Sequence, residues 1–427
     1  MKDKIDKFLA SLDDEDILRY AYNQKCDIPV YYSGPSWDRE ELSAAISSLV
    51  CGQWLSSGEE VTKFEKQFAQ SEGVNSALMV NSGSSANLVL LAACKKHYGW
   101  SDDSEIVVSV VGFPTTIAPI VQNNMVPKFV DIEMDSLNFN LELVEEAITD
   151  KTVAIFLSPV LGNPCDMEEL SRICMEKDVM LLLDGCDSFG TQYLGQPLAK
   201  YATATTCSFY PAHHITTGEG GMVYSDDTRL IQIARSIAWW GRDCFCVGSC
   251  NLLANGMCNN RFSNWLPDYD GIVDHKYVFT NVGYNLKPLD LQGAIGQVQL
   301  KKAPKLHERR QRNKIRISSI MSKVVSGIRI PLSERNSTVS WFGVPIICCN
   351  DELKLKLVSF LEANKIQTRN YFAGNILMHP AYRDLGNFRD YPNANEVLER
   401  VFFLGTSPSY SETTFDYIED VMKKWQE

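Results

Sequence analysis

A chain of 427 residues with 45% hydrophobic and 22% charged residues has the make-up of a globular enzyme, not of a disordered or fibrous protein. Its net charge of -12, without a basic stretch studded with aromatic residues, excludes nucleic acid as an expected partner. No apolar run reaches the length that spans a bilayer, so no membrane partner is expected either.

From Met1 to Lys25, Lys alternates with Asp and Glu around Ile5, Phe8, Leu9, Leu12, Ile17 and Leu18. That spacing predicts an acidic amphipathic helix and lacks the apolar centre of a signal peptide, so a cytoplasmic location is expected. Trp37 to Leu42 and Gly52 to Gly58 predict a helix, a tight loop and a second helix at Glu60. Next, the apolar strand Ala77-Leu78-Met79-Val80 runs into Asn81-Ser82-Gly83-Ser84-Ser85-Ala86-Asn87 and a helix to His97. Strand, small residues and helix aim free N–H groups and hydroxyls at a phosphate, although small residues also make plain turns.

The strand from Glu105 to Val111 delivers Gly112-Phe113-Pro114-Thr115-Thr116 at its carboxyl end. Strands at Phe129 to Asp131 and Val153 to Leu157, with a helix over Leu141 to Thr149, continue the βα alternation of a mostly parallel sheet. Five apolar residues, Val179 to Leu183, then end in Asp184, the pattern of a central strand with a functional group at its tip. The run Ser208-Phe209-Tyr210-Pro211-Ala212-His213-His214-Ile215-Thr216-Thr217-Gly218-Glu219-Gly220-Gly221 follows, then a strand to Ser225 and a helix over Thr228 to Ala238. Thirteen cysteines are many for a cytosolic chain, and Cys244, Cys246, Cys250 and Cys258 crowd into fifteen residues. A long charged helix from Leu300 to Lys323 leads to a strand near Val339 to Ile347 and helices at Leu353 to Ala363 and Glu396 to Phe402.

The run from Ser208 to Gly221 resembles the cofactor-anchoring segment of the sugar aminotransferase family, fold-type I pyridoxal phosphate enzymes that act on nucleotide-linked keto sugars. There the pattern is S-F-x-P-x-K-x-I-x-x-G-E-G-G, and the lysine holds the cofactor. The resemblance implies an α/β fold, a mostly parallel sheet flanked by helices with a smaller C-terminal α+β domain. It divides the chain into a helical extension (1–32), a large cofactor-binding domain (33–300) and a small domain (301–427). It also implies that Gly83, Ser84, Ser85 and Ser208 hold the cofactor phosphate, that Phe113 stacks on the pyridine ring and that Asp184 pairs with its nitrogen. Asn285, within Gly283-Tyr284-Asn285, would reach the phosphate of a neighbouring subunit, which implies a homodimer. Arg369, in Thr368-Arg369-Asn370-Tyr371-Phe372-Ala373-Gly374-Asn375, would bind the diphosphate of a sugar nucleotide; an ordinary surface ion pair is the other reading.

His213 occupies the lysine's place, and no lysine occurs between Lys200 and Lys276. An imidazole moves protons but cannot form the imine that transamination must regenerate. The pyridoxamine-dependent sugar dehydratases of the same family carry histidine here, so the resemblance implies non-covalent pyridoxamine phosphate with His213 as base and Asp187 and Tyr210 beside it. Asp187, and the spacing from Cys186 to Cys244 and Cys246, resemble the iron-sulfur branch that acts on CDP-4-keto-6-deoxyglucose. There a 2Fe-2S cluster would sit on Cys186, Cys244, Cys246 and Cys258, or Cys250 in place of the last, and a separate NADH-dependent reductase would supply electrons. Two alternatives stand beside it: a cluster-free dehydratase that takes its amine from glutamate and acts on GDP-4-keto-6-deoxymannose, and an inactive scaffold with structural zinc. The expected substrate in either active form is a nucleotide-linked 4-keto sugar that loses its 3-hydroxyl.

Overall fold

The computed structural model describes residues 1–13, 29–52, 54–243 and 261–426. Its main sheet has seven strands: β1 (Ser76–Val80), β2 (Glu105–Ser109), β3 (Val126–Val130), β4 (Thr152–Leu157), β5 (Met180–Asp184), β6 (Ala204–Ser208) and β7 (Gly221–Ser225). They lie in the order β1-β7-β6-β5-β4-β2-β3, and only the pairs β6-β7 and β7-β1 are antiparallel. The apolar runs seen in the sequence are central strands because both faces are covered. Ile106 and Val108 pack with Leu182 in one buried cluster, while Val107 packs with Leu181 and Leu183 in another, on the alternation that a strand imposes. Each such fully buried side chain contributes about 1.5–3 kcal/mol.

Helices α1 (Lys2–Ala10), α2 (Arg39–Cys51), α3 (Glu59–Ser71), α4 (Gly83–Tyr98), α5 (Pro114–Gln122), α6 (Leu141–Ala147), α7 (Met167–Glu176) and α8 (Thr228–Ala238) accompany this sheet. Of the amphipathic helix expected from Met1 to Lys25, α1 realises the first part, burying Ile5 and Leu9, and it ends at Ala10 with Ser11 as its C-cap; residues 14–25 lie outside the described residues. Helix α9 (Asp290–Val324) starts ten residues before the predicted Leu300, with Leu289 as its N-cap. The carboxylate of its first residue, Asp290, accepts the N–H groups of Gly58 at 2.8 Å and Val61 at 3.0 Å and so caps α3.

Beyond α9, the strands β8 (Ile328–Arg329), β9 (Gly343–Cys348), β10 (Thr368–Asn370) and β11 (Val401–Gly405) form a separate antiparallel sheet in the order β8-β9-β11-β10. Helices α10 (Asp351–Ala363), α11 (Pro392–Arg400) and α12 (Glu412–Met422) complete this part. The predicted helix over Glu396 to Phe402 is therefore corrected: α11 ends at Arg400 and the chain becomes a buried strand. A short apolar run such as Val401-Phe402-Phe403-Leu404 fits either structure by pattern, and pairing with β9 decides for strand.

Candidate active site

The site forms where the carboxyl ends of β2, β5 and β6 meet the amino end of α4, the position at which parallel sheets bind ligands. Asp184 closes β5 with only 4% of its surface exposed. One carboxylate oxygen accepts from Asn87 Nδ2 at 2.8 Å and Thr116 Oγ1 at 2.6 Å, while the other takes the Cys186 N–H at 3.3 Å. Asn87 is itself fixed by the Thr206 hydroxyl at 2.6 Å. Asn87, Thr116 and Thr206 were missed as site residues. Asn87 lies one turn into α4 and Thr116 one turn past Phe113, so helical spacing from the motifs was the available signal.

At the start of α4, the Ser82 hydroxyl accepts the Ser85 N–H at 3.1 Å and caps the helix. Gly83, Ser84 and Ser85 make its first turn, with N–H groups and two hydroxyls at the positive end of the helix dipole. A Cβ on Gly83 would stand 2.6 Å from Ser208 Cβ and 3.0 Å from Cys186 Sγ, so this turn, β6 and the tip of β5 are closely packed. A phosphate fits that donor set, and a protonated pyridine nitrogen fits an aspartate held as Asp184 is. These residues suit pyridoxal or pyridoxamine phosphate, although the structure carries neither.

His213 sits in the loop after β6 with its side chain 17% exposed, and its Nδ1 lies 3.5 Å from Asp187 Oδ1. That separation is a contact short of a hydrogen bond. Burial, with the Arg310 guanidinium adding to it, pushes the His213 imidazole down to about 3. Asp187 is pushed up to about 7 by burial and then by Asp184, against the Leu161 N–H and Arg310. His213 is therefore a neutral imidazole at physiological pH with a lone pair to accept a proton. Its ring is flanked by Phe342 at 5.3 Å and by the half-exposed Tyr210 at 6.3 Å, centroid to centroid.

Phe113 stands half-exposed at the amino end of α5, edge-on to Phe372 at 6.0 Å. The loop bearing Phe372 is brought there by the Ala373 N–H on the Gly112 carbonyl at 3.3 Å and by the Ile376 N–H on the Val110 carbonyl at 3.0 Å. Arg369 thereby joins the mouth of the site, its guanidinium 4.1 Å above the Tyr32 ring. Its Nη1 donates to the Thr368 carbonyl at 2.7 Å, and among the described residues it forms no ion pair. Asn285 does not join the cluster. It is exposed, and its side chain accepts from Lys287.

Cys186 lies beside this site, and burial followed by Asp184 pushes its thiol well above the usual range. Cys244, Cys246, Cys250 and Cys258 lie outside the described residues. Among the described residues no group of three or more His, Cys, Asp or Glu side chains is arranged to hold a metal.

A seven-stranded sheet of this order, with a helix terminus whose donors fit a phosphate and an aspartate at the tip of β5, is the fold of the fold-type I pyridoxal-phosphate-dependent enzymes. Residues 36–425 match the DegT/DnrJ/EryC1/StrS aminotransferase family, and the chain belongs to it. It is 35% identical to the dTDP-4-dehydro-2,6-dideoxy-D-glucose 3-dehydratase of Saccharopolyspora spinosa, over 97% of this chain and 91% of that one. It is 34% identical to the lipopolysaccharide biosynthesis protein RfbH of Salmonella typhimurium, over 90% and 89%. Among solved structures, a histidine-to-asparagine variant of GDP-4-keto-6-deoxymannose-3-dehydratase with bound GDP-perosamine superposes with a TM-score of 0.81 and 29% identity, over 93% of this chain and all of that one. A further structure of such an enzyme holds a geminal diamine of pyridoxal phosphate and glutamate, at a TM-score of 0.80 and 28% identity over 92% of this chain and 99% of that one. The expected CDP-linked substrate and 2Fe-2S cluster gain no support here, and the solved GDP-4-keto-6-deoxymannose-3-dehydratase structures, one of them with glutamate on its cofactor, favour the glutamate-using alternative.

Proposed function

We propose that this chain is a 3-dehydratase of a nucleotide-linked 4-keto-6-deoxyhexose, dependent on pyridoxamine phosphate and supplied with its amine by glutamate. The observation that carries the reading is the neutral imidazole of His213, standing where the family's aminotransferase pattern has lysine and facing Asp187. Bound pyridoxamine phosphate supplies an amine that captures the sugar ketone and a ring that accepts electrons.

The chain's own groups do the rest. Ser84, Ser85, Ser208 and the first turn of α4 bind the phosphate, Asp184 holds the ring nitrogen protonated, and Phe113 covers the ring. His213 takes a proton at the 4′ carbon, and Asp187 stabilises the imidazolium so formed. Burial by Phe342 keeps bulk water from competing for that proton. Arg369, held over Tyr32, binds the diphosphate of the nucleotide, while Tyr210 lines the sugar's path. Active sites of this kind would be completed in a homodimer, with Asn285 turned to the partner's phosphate.

His213→Lys tests the assignment. The variant should keep pyridoxal phosphate through dialysis as a covalent imine with a visible absorption band, while dehydration falls by at least ~10²-fold, the contribution of a positioned base. Full dehydration by His213→Lys would overturn the reading. A second reading, with a 2Fe-2S cluster and an NADH-dependent reductase, is favoured by one observation: Cys186 lies against the phosphate turn at Gly83. Anaerobic purification decides between them. Brown protein with bound iron that needs a reductase supports the cluster, and colourless iron-free protein that turns over with glutamate supports the main proposal.

A further inference from the structure

Arg310, midway along α9, is among the largest fully buried side chains in the protein, with 1% of its surface exposed. A guanidinium stays charged and carries five donors, so burying it is costly unless its surroundings use it. Among the described residues no carboxylate forms an ion pair with it. Its Nη2 instead donates to the main-chain carbonyl of His213 at 3.0 Å. Its Nη1 faces the Trp341 carbonyl and the Thr406 hydroxyl, each at 3.5 Å, and that hydroxyl donates to the same Trp341 carbonyl at 2.5 Å. One side chain thus joins the His213 loop to the chain entering β9 and the chain leaving β11.

The neighbouring contacts fix the same loop from its other side. His214 Nε2 meets the Ser340 carbonyl at 2.7 Å, and the Ser340 hydroxyl meets His307 Nδ1 at 2.7 Å. Phe342 then packs against the rings of His213 and His214, and the Arg310 guanidinium lies 6.0 Å from the centroid of its ring. The His213 backbone is thus held at its carbonyl and one side of its ring is covered by Phe342, with Nδ1 3.5 Å from Asp187 Oδ1.

We propose that Arg310 is a positioning residue whose bond to the His213 carbonyl sets the imidazole against Asp187. It would act through His213 and not on the substrate or cofactor itself. The inference rests on His213 being the base. Lysine in its place is a point charge that reaches one acceptor, and methionine fills the volume with no donor at all.

The test uses full-length protein labelled with ¹⁵N-histidine, whose six imidazoles give separate ring signals, together with turnover of the loaded enzyme. In Arg310→Met the His213 ring signals should shift and broaden even without cofactor, and kcat should fall by roughly 10–100-fold, the cost of a displacement on the order of 1 Å. KM for the sugar nucleotide should change little, and Arg310→Lys should recover part of both readouts. His97, His275 and His379, bonded to Asp227, Arg261 and Ala373, should keep their signals and report an intact fold. His213 signals at wild-type positions would overturn the proposal, as would all six moving together, the mark of a general structural role. Where Arg310→Met fails to fold, the same comparison in Arg310→Lys decides. A wild-type protein without dehydration whose His213 ring still responds to Arg310 would remove the function and leave the positioning role.

Discussion

Two buried carboxyls, Asp187 and Glu72, are both pushed up to about 7, chiefly by burial, but only Asp187 has charged neighbours that add to or oppose the shift. Asp187 faces His213 and sits near Asp184 and Arg310, so its shift belongs to a working cluster of charges. Glu72 caps the carboxyl end of α3 with 7% of its surface exposed, and burial alone raises it from 4.5. Between those two values the folded chain keeps a proton that the unfolded chain has released. Stability therefore falls as pH rises from about 4.5 to 7, and the cost is complete above 7. Glu72→Gln should remove it, raising unfolding free energy at pH 8 by on the order of 2–3 kcal/mol and leaving pH 4 unchanged. Urea unfolding at the two pH values checks this, and an equal effect at both would show that the carboxyl's ionisation is not what burial opposes.

At the scale of elements, the site is assembled by placing helix starts against strand tips, and close packing makes it intolerant of added atoms. Gly83→Ala would set a methyl group 2.6 Å from Ser208 Cβ, forcing β6 and the first turn of α4 apart. Cofactor affinity should fall by about tenfold or more, as expected for the loss of one charge-assisted hydrogen bond or more, and titration with pyridoxal phosphate measures it. Unchanged affinity would mean that the phosphate is held elsewhere. The same strand-and-helix rhythm is what made the large sheet legible in the sequence: strands covered on both faces read as plain apolar runs, and Asp184 stands out as an acid at the end of one. Asn87 and Thr116 stayed hidden because their importance comes from reaching Asp184 across space. The first two residues of β11 read as the end of a helix for a related reason, since its partner β9 lies more than fifty residues earlier and pairing leaves no local mark.

For the whole molecule, the surface next to the site makes a monomer an unsatisfactory end point. Val282 is 98% exposed, Leu55 63%, Trp54 52% and Leu289 49%, with Tyr284 and Phe279 also open. Leu55 and Leu289 are drawn together where the Asp290 N–H bonds the Leu55 carbonyl at 3.0 Å, and Tyr284 is tied to the end of α8 by the Trp240 N–H on its carbonyl at 2.7 Å. Exposed apolar groups of this size are what an interface covers, and the exposed Asn285 lies in the same stretch of chain as Val282 and Tyr284. A second copy of the chain is the occupant we infer, because the family resemblance directs Asn285 toward a partner's cofactor and the Leu286 carbonyl beside it already anchors Asn81 at the edge of the chain's own phosphate helix, 2.9 Å away. Sedimentation velocity should then find a dimer, and Val282→Asp, which buries an unpaired charge on association, should shift it to monomer. If the interface completes the site, the monomeric variant will also release pyridoxal phosphate more readily although every residue that holds Asp184 and His213 within the chain is untouched. A monomeric variant that keeps the cofactor as tightly as the dimer would confine the site to a single chain and return Asn285 to the role of a loop residue.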